Sequence, residues 1–453
     1  MTDAQGAQPA GSAGEVAFSD RGGGFAYRPG IVLVGGERGR DEAARVLPGG
    51  WMETLEPVFQ ERAAGQIYRF EVPVDPLEVI EELRLEGVTA QPDHVLFAHC
   101  GCGCGPHPAV SWQACQHETA FGASPFHASP FHASPFHASP FHASTAGATG
   151  RRSSSARPAA PPTVLGASER SDGGRGSRRP SLRRRREREG ATTRWPRIVV
   201  LDTGLTDDRF RPAMLGSIQA GEEHWERPDE DHDDHLDPVA GHGTFIAGLI
   251  DQLVPECDVK PVRVLSTMGD GGEASIAAHI DDLATAGGVD LLNLSFGGFA
   301  LERPHALQAA VRRVQAAGTV VVASAGNEAT CRPCFPASLP GVVSVAALST
   351  DGPAPFTNHG DWVRSCAPGV DIVAPFFAGF QGAKVAPANE DDPDDFHGWA
   401  RWSGTSFAAP MVVAALAREM RRSGISAADA VTRVIDAPGL LRIPRLGTVV
   451  NIS

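Results

Sequence analysis

The chain has 453 residues and is 42% hydrophobic, so it can bury a large core, and the usual domain sizes predict two to four domains. Its formal net charge is −14, and no stretch approaches the roughly 18 uncharged apolar residues of a membrane helix. The composition therefore excludes a helical membrane span and leaves the classes of soluble enzymes and binding proteins.

The N-terminal segment, residues 1–26, is rich in glycine and alanine and is predicted to be disordered. It has neither a basic start nor an apolar stretch, so no secretory signal is predicted and the expected compartment is the cytoplasm of a bacterium. In a reducing compartment the eight cysteines are expected to be thiols or metal ligands rather than a disulfide framework. Four of them cluster at Cys100, Cys102, Cys104 and Cys115.

Residues 27–99 have the pattern of a small folded domain. "GIVLVGG", "IYRFEV" and "VTAQPDHVLFAH" read as strands, whereas "RDEAARVL" and "DPLEVIEELRLEG" read as helices. Pro76 stands at the start of the second helix and Gly87 at its end, which are the usual positions of these residues. The predicted order, βαββαβ, is that of a ferredoxin-like sandwich.

Residues 100–194 lose this pattern and are predicted to be a disordered linker. Four copies of "ASPFH" fill positions 123–142, and proline at every fifth position prevents a continuous helix or central strand. Residues 151–197 hold fourteen arginines against four acidic residues, a net charge of +10. The repeated histidines are compatible with a metal site, and the arginines with nucleic-acid or membrane binding. A solvated linker without a specific nucleic-acid partner is favoured over these alternatives.

The C-terminal region, residues 195–453, alternates buried strands with helices. The strands are "RIVVLD", "VKPVRVL", "VDLLNLS", "TVVVASAG" and "VVSVAAL". Helical stretches such as "TFIAGLIDQL" and "EASIAAHIDDLATAG" lie between them. Continuous apolar strands alternating with helices predict an α/β fold with a doubly wound parallel sheet, whose functional groups gather at the carboxyl ends of the strands.

Four polar residues follow strands or begin helices of this predicted sheet, at the positions where functional groups are expected. Asp202 ends the first strand, His242 begins a helix, Asn327 follows the fourth strand and Ser406 opens the helix in "GTSFAAP". Each alone has a plain structural explanation, as a turn former or a helix cap. Together they suit nucleophilic catalysis: Ser406 attacks, His242 removes its proton, Asp202 orients the imidazole, and Asn327 with the Ser406 backbone N–H binds an oxyanion.

These segments resemble the subtilisin-like serine protease family. "VVLDTG", "GHGT", "SAGN" and "GTSFAAP" are similar to its aspartate, histidine, oxyanion-asparagine and serine motifs, in the family's order. The resemblance covers about 197–453 and implies an endopeptidase that acts through an acyl-enzyme. Residues 27–99 resemble, more weakly, the family's inhibitory propeptide, which implies a proenzyme whose own N-terminal domain is a partner.

The resemblance also implies two edges that bind an extended substrate as an added strand. "LSFGG" would contribute Ser295, Phe296 and Gly297, and "MGDGG" would contribute Gly269, Asp270 and Gly271. Glu328, which follows the oxyanion asparagine, is expected near the rim of the first specificity pocket, with Asp270 on the opposite wall. Two acidic walls favour a basic or polar residue, and disfavour an acidic one, before the scissile bond.

The chain departs from the family in ways that affect its metal sites. Phe245 stands where many members have a second histidine, and Leu249–Val259 is too short for the calcium loop of many secreted members. Two acidic inserts, "EEHWERPDEDHDDHLD" and "NEDDPDDFHG", are compatible with calcium but are interpreted as solvated loops, so no cofactor is predicted to be required. Cys331 and Cys334 in "CRPC" are favoured as thiols over a local disulfide or half a metal site.

The sequence therefore predicts a serine endopeptidase that is made as an autoinhibited proenzyme and acts on protein or peptide substrates. Two alternatives stay open at this point. One is a catalytically silent protein that uses this fold for binding or regulation. The other is a protease dedicated to one precursor peptide.

Overall fold

The computed structural model describes residues 16–47, 52–53, 59–61, 65–98, 107–108, 194–300, 302–380 and 396–452. The predictions for most of the linker lie outside these residues: the "ASPFH" repeats, the four-cysteine cluster and the arginine-rich segment. The second acidic insert also lies largely outside them. Within the described parts of the chain, no helix is long and apolar enough to cross a membrane.

The N-terminal region folds into a sheet with two helices on one face. Its elements are β1 Ala17–Ser19, β2 Phe25–Gly35, α1 Glu37–Val46, β3 Met52–Glu53, β4 Phe59–Glu61, β5 Gly65–Glu71, α2 Pro76–Leu85, β6 Ala90–Ala98 and β7 His107–Pro108. The strands lie side by side in the order β6-β2-β5-β3, and β4 also pairs with β5. This antiparallel order is that of a ferredoxin-like βαββαβ sandwich.

Local sequence explains where helix α2 begins and ends. The Asp75 carboxylate accepts a hydrogen bond from the Leu77 N–H at 3.0 Å, and Pro76 occupies the first helical position. These two residues satisfy or remove donors that a helix start would leave unpaired. Gly87, with φ of +79°, then turns the chain toward β6, a conformation that residues with a Cβ rarely adopt.

The C-terminal region contains a second, mainly parallel sheet. Its elements are β8 Arg197–Asp202, α3 His242–Leu253, β9 Asp258–Arg263, β10 Asp270–Gly272, α4 Glu273–Ala286, β11 Leu291–Leu294, β12 Phe296–Gly297, α5 His305–Ala316, β13 Val320–Ser324, β14 Val343–Ser349, β15 Gly352–Pro353, β16 Ser365–Pro368, β17 Ile372–Ala378, β18 His397–Trp402, α6 Thr405–Ser423, α7 Ala427–Val431, β19 Arg442–Ile443 and β20 Gly447–Val449. Short helical turns lie at Arg21–Gly23, Ala213–Leu215, Glu222–His224 and Thr432–Asp436.

The parallel strands are ordered β20-β16-β14-β13-β11-β8-β9, so chain order reverses around β8 and β11. Helices α3 and α6 cover one face of the sheet, and helices α4 and α5 cover the other. Successive residues of one strand point into different cores. Val200 of β8 packs in the core under α3 and α6, and Val199 packs in the core under α4 and α5. The predicted doubly wound parallel sheet is confirmed, and the reversal marks the crevice where such sheets bind ligands.

The N-terminal sheet packs its second face on the C-terminal region. Along β2, Val32 and Val34 belong to the core under α1 and α2, whereas Leu33 belongs to the cluster formed with α4 and α5. Ile67 of β5 and Leu96 of β6 join that same cluster. Because successive strand residues point to opposite faces, an apolar residue on each face requires a partner on each side. The C-terminal helices supply the second partner.

Two strands depart from the predicted boundaries. Strand β1 pairs with β2 in the register Ala17↔Tyr27, so regular structure begins inside the segment predicted to be disordered, residues 1–26. Strand β7, which falls in the predicted linker, pairs with β18 through His107↔Arg401. Both strands are only two or three residues long, and each is ordered by pairing with a longer strand. The composition of so short a segment does not indicate that such a partner exists.

Candidate active site

Asp202 and His242 form a buried pair at the crevice. Asp202 is the last residue of β8 and His242 is the first of α3, and both side chains are fully buried. Nδ1 of His242 lies 2.7 Å from Oδ1 of Asp202, and Oδ1 also accepts the Thr203 N–H at 2.8 Å. Since an ionised carboxylate only accepts, the imidazole carries its proton on Nδ1. Nε2 is thereby left as the atom able to take a further proton.

Ser406 is the second residue of helix α6. Its hydroxyl donates to the Ser295 carbonyl at 2.8 Å, and the Ser295 hydroxyl donates to the Ser406 carbonyl at 2.8 Å. The neighbouring Phe407 ring has its centroid 5.4 Å from that of His242. The structure therefore brings the serine and the histidine into one cluster, although the serine hydroxyl bonds to Ser295 rather than to the imidazole.

Asn327 approaches the same helix start from the end of β13. Its Oδ1 accepts the backbone N–H of Thr405 at 3.0 Å and the Thr405 hydroxyl at 2.9 Å. These two bonds fix the amide orientation, because only the carbonyl end can accept. Nδ2 of Asn327 is buried and has no hydrogen-bond partner among the described residues. The amide donor is thus turned away from Thr405 and available to another acceptor.

The two predicted substrate edges lie on either side of strand β6. Phe97 pairs with Asp270 of β10 on one side and with Gly297 of β12 on the other. The Ala98 N–H donates to the Gly269 carbonyl at 2.8 Å, and Ala98 also pairs with Phe296. Gly271 pairs with the residue before Phe97. The edges predicted to bind an extended substrate are therefore filled by an antiparallel strand of the chain's own N-terminal domain.

The two acidic residues expected to line the first pocket both have partners. Asp270 Oδ2 lies 2.5 Å from the Arg28 guanidinium of the N-terminal domain, and its Oδ1 accepts the Ser266 hydroxyl. Glu328 Oε2 accepts a hydrogen bond from Nδ2 of Asn358 at 2.7 Å, and the Glu328 backbone N–H donates to the side-chain Oδ1 of Asn358 at 3.0 Å. The Asp270 charge is thus paired with Arg28, whereas Glu328 is exposed and keeps its negative charge, because Asn358 is a neutral donor. The preference for basic residues stays a prediction for the chain without its N-terminal domain.

Among the described residues, one acidic cluster and one pair of cysteines were candidates for a metal site. Asp229, Asp231 and Asp237 of the first acidic insert place one carboxylate oxygen each within 4.8 Å of one another. Exposed acidic groups approach this closely without an ion, so the cluster carries no metal assignment. Cys331 and Cys334 are both free thiols, the first exposed and the second buried. Burial raises the pKa of the Cys334 thiol well above its usual value, so this thiol stays protonated and unreactive.

Sequence reasoning missed the groups that surround this cluster. Ser295 was expected only as part of a substrate edge, yet it binds Ser406 in both directions. Glu226, in the loop before α3, was not singled out and accepts the N–H of Gly241, the residue before His242, at 2.8 Å. No local motif marks Glu226, because its partners are 15 or more residues away in the chain.

The fold and the site together define a class: a doubly wound α/β protein with a buried Asp–His pair beside a serine at a helix start. The family model described as "Subtilase family" matches residues 195–435, which is more than half of the chain, and the chain belongs to that family. The predicted resemblance is confirmed for this region. The match does not extend to the N-terminal domain.

Individual relatives are similar at moderate identity. The chain is 32% identical over 252 residues to "Thermophilic serine proteinase" of Bacillus sp. (strain AK1), covering 53% of this chain and 56% of that protein. It is 29% identical over 253 residues to "Thermitase" of Thermoactinomyces vulgaris, covering 53% and 81%. A solved structure, a cold-adapted subtilisin-like serine proteinase, is 25% identical, covers 56% of this chain and 86% of that one, and has a TM-score of 0.43. The chain spans about half the length of the first of these relatives.

Proposed function

We propose that this chain is a serine endopeptidase that hydrolyses peptide bonds through an acyl-enzyme and is made as an autoinhibited proenzyme. The observation that carries the proposal is the Asp202–His242 pair at 2.7 Å beside Ser406 at the start of α6. This set supplies a nucleophile, a base and a group that orients the base. Membership of the subtilase family supports the same reaction class.

In the proposed reaction Ser406 attacks the carbonyl carbon of the scissile peptide bond. Its hydroxyl turns from the Ser295 carbonyl to Nε2 of His242, which takes the proton as the Oγ–C bond forms. Asp202 holds the Nδ1 proton and stabilises the imidazolium. His242 then gives its proton to the leaving amine, and water hydrolyses the acyl-enzyme by the reverse sequence. Activity falls on acidification, because a protonated His242 cannot act as a base.

Strand β6 supports the proenzyme part of the proposal. It lies antiparallel between β10 and β12, with main-chain contacts on both sides. A substrate strand that binds by β-augmentation would need the same positions, so the two occupants exclude each other. Residues 27–99 would therefore act as an inhibitor for as long as β6 stays in place.

Buried polar contacts strengthen the docking of this strand. The Asp93 carboxylate accepts the Ala274 N–H at the start of α4, at 3.1 Å. His94 Nδ1 lies 2.7 Å from Glu273 Oε2, and the Gln91 amide donates to the same oxygen at 2.8 Å. These bonds make separation of the domains cost more than the apolar contacts alone would.

The register of β6 predicts where the chain first cuts itself. Ala98 pairs with Phe296, and the residue before Phe296 is Ser295, whose carbonyl receives the Ser406 hydroxyl. Because β6 reaches the neighbourhood of Ser406 at its last described residue, we predict cleavage shortly after Ala98. We expect purified full-length protein to develop a new N-terminus between residues 100 and 106. The measurement is mass spectrometry of both termini over time.

Two variants serve as controls for this experiment. Ser406→Ala protein, purified in parallel, should stay intact, which separates self-cleavage from a contaminating protease. Ala98→Pro removes the N–H that bonds to Gly269 and should slow the cut. Full-length wild type that remains uncut and is already fully active would show that residues 27–99 do not inhibit.

Docking of the N-terminal domain should weaken as the pH rises from about 4 to about 7. Burial raises the pKa of Asp93 to about 6, opposed by the bond from Ala274 and reinforced by the nearby charge of Glu273. A carboxyl whose pKa is higher in the docked state takes up a proton on docking, so this stabilising contribution is present at low pH and lost through that window. A shift of about two units corresponds to an affinity change of up to roughly a hundredfold.

The measurement uses Ser406→Ala full-length protein with an engineered protease site cut in the linker. Dissociation of the two fragments is followed by gel filtration and by fluorescence from pH 4 to pH 8. Asp93→Asn, which keeps a side-chain acceptor for Ala274 but cannot ionise, should flatten most of the dependence. A dissociation constant that is unchanged across this range, or unaffected by Asp93→Asn, contradicts the assignment.

A further inference from the structure

Glu226 is a buried carboxylate that the proposed reaction does not use. It lies in the loop between β8 and α3 with only 2% of its surface exposed. It accepts the Thr203 hydroxyl at 3.0 Å, the Gly241 N–H at 2.8 Å and the hydroxyl of Thr244. None of these partners belongs to the two predicted substrate edges, so these hydrogen bonds do not connect Glu226 to a bound substrate.

The direction of each hydrogen bond is fixed by the backbone. The Thr203 hydroxyl oxygen accepts the Gly243 N–H at 2.9 Å, and the Thr244 hydroxyl oxygen accepts the Thr206 N–H at 2.8 Å. Each hydroxyl therefore turns its own proton toward Glu226. Two hydroxyl donors and one N–H converge on the two carboxylate oxygens, which is an arrangement that an ionised carboxylate satisfies fully.

These partners flank the two residues of the Asp–His pair. Thr203 directly follows Asp202, Gly241 directly precedes His242, and Thr244 lies in the first turn of the same helix. The two segments approach very closely, since a Cβ on Gly243 would lie 2.4 Å from the Gly204 carbonyl oxygen. Glu226 thus joins the end of β8 to the start of α3 at the point where their separation sets the Asp202–His242 hydrogen bond.

We propose that Glu226 is a positioning residue for the Asp202–His242 pair, and that its ionised carboxylate is required for full turnover. This inference rests on the proposed function. Glu226 is bonded to Thr203 and Gly241, the chain neighbours of Asp202 and His242. Its negative charge therefore also favours the imidazolium that forms when Ser406 gives up its proton. Since Glu226 does not contact the substrate strand, its loss should affect the chemical step and not substrate binding.

The charges around Glu226 support a titration near neutrality. Burial raises the pKa of Glu226 to about 7, opposed by the bonds from Thr244, Gly241 and Thr203 and reinforced by the Asp202 charge. The charged group that acts on Glu226 is Asp202 of β8, and Arg263 of β9 is bonded to Glu230 instead. No arginine or lysine among the described residues forms an ion pair with Glu226.

Protonation of Glu226 should therefore lower activity as the pH falls through about 7. Oε2 accepts from Thr203 and Gly241 and Oε1 accepts from Thr244, so a proton on either oxygen faces an existing donor, and the link between β8 and α3 loosens. The acid side of the kcat profile should then depend on two protons, one on His242 and one on Glu226. The sign for stability is opposite: because folding raises the pKa of Glu226 from its usual 4.5 to about 7, its contribution to stability is present at low pH and is lost as the pH rises between these two values.

The decisive variant is Glu226→Gln, which keeps the shape but presents an NH₂ group to partners that are themselves donors. We expect kcat of the processed enzyme to fall about 10- to 100-fold with KM within about twofold of wild type. The acid side of its pH profile should change from two protons to one. Glu419→Gln is the matched control: Glu419, near the C-terminal end of α6, is also buried and accepts from Ser423 and Arg422 of that helix and from Arg433 of the turn Thr432–Asp436. It should lose stability while kcat and the pH profile stay unchanged.

Conservative variants keep the test open if Glu226→Gln does not fold. Thr244→Val removes one donor and should lower kcat with the same kinetic pattern, whereas Thr244→Ser keeps the hydroxyl and should retain it. Glu226→Asp keeps the charge and should recover the two-proton profile in part. Unchanged kcat and pH dependence in Glu226→Gln or Thr244→Val would overturn the inference.

A spectroscopic measurement separates this inference from the proposed function. In full-length Ser406→Ala protein, the NMR signal of the His242 Nδ1 proton, assigned by its loss in His242→Ala, should shift when Glu226→Gln is added and not when Glu419→Gln is added. If wild type proves inactive but the signal shifts, the positioning role stands and the peptidase proposal fails. If wild type is active but the signal does not shift, the peptidase proposal stands and the positioning role of Glu226 fails.

Discussion

Ser406→Ala is expected to lower turnover by roughly a million-fold, the scale established for subtilisin itself, and His242→Ala by about as much. The structure gives the physical reason. Nδ1 of His242 is committed to Asp202 at 2.7 Å, so only Nε2 can take the serine proton, and no other base in the described cluster can replace it. The measurement is kcat on a peptide substrate after removal of the N-terminal domain.

The double variant should cost little more than either single one, because the two groups act as a unit. Ser403→Ala is the matched control: Ser403 lies three residues before Ser406, accepts the Asp371 N–H and should be replaceable with little loss of turnover. Labelling by a fluorophosphonate should occur in wild type and in Ser403→Ala but not in Ser406→Ala. Full activity of Ser406→Ala would favour the alternative of a protein that uses this fold without its serine chemistry.

The parallel sheet could be predicted because its strands are continuous apolar runs. "RIVVLD" coincides with β8 from Arg197 to Asp202, and the predicted helices at 244–253 and 273–287 match α3 and α4 within two residues. Buried strands and amphipathic helices leave period-2 and period-3.6 patterns that depend only on neighbours in the chain. The polar residues at the ends of these elements were therefore identifiable as candidates before any contact was known.

Contacts between distant segments left no such pattern. Arg28 and Asp270 are 242 positions apart, and nothing in either segment indicates that their charges meet. Asp270 was consequently interpreted as a pocket wall, whereas its carboxylate is paired in this structure. Glu226 was missed for the same reason: its role depends on three donors whose directions are set by backbone bonds elsewhere.

The shortest strands could not be predicted from the sequence either. Strand β7 has two residues, one of them a proline that cannot donate to a ladder, and it gains its identity only from β18. Strand β18 leads directly toward the helix that carries Ser406. Main-chain pairing of this kind depends on where the partner strand ends, and hydropathy patterns carry no information about that.

Asn327 offers the second large effect, because one amide has two separable tasks. Its Oδ1 accepts from the N–H and the hydroxyl of Thr405, which fixes the start of α6 relative to β13. Its Nδ2 is the proposed donor to the oxyanion, together with the Ser406 backbone N–H. A hydrogen bond that exists only in the transition state raises kcat without tightening substrate binding.

Asn327→Ala is therefore expected to lower kcat by about 10² to 10³, the scale typical of losing one oxyanion donor, with little change in KM. Asn327→Asp separates the two tasks, since a carboxylate keeps both bonds from Thr405 but replaces the donor by a negative charge facing the oxyanion. It should lose at least as much activity as Asn327→Ala while unfolding closer to the wild-type temperature. Kinetics and thermal unfolding of both variants provide the measurement. If Asn327→Asp kept nearly full turnover, the asparagine would serve only to hold Thr405, and the oxyanion donor would have to be sought elsewhere in the crevice.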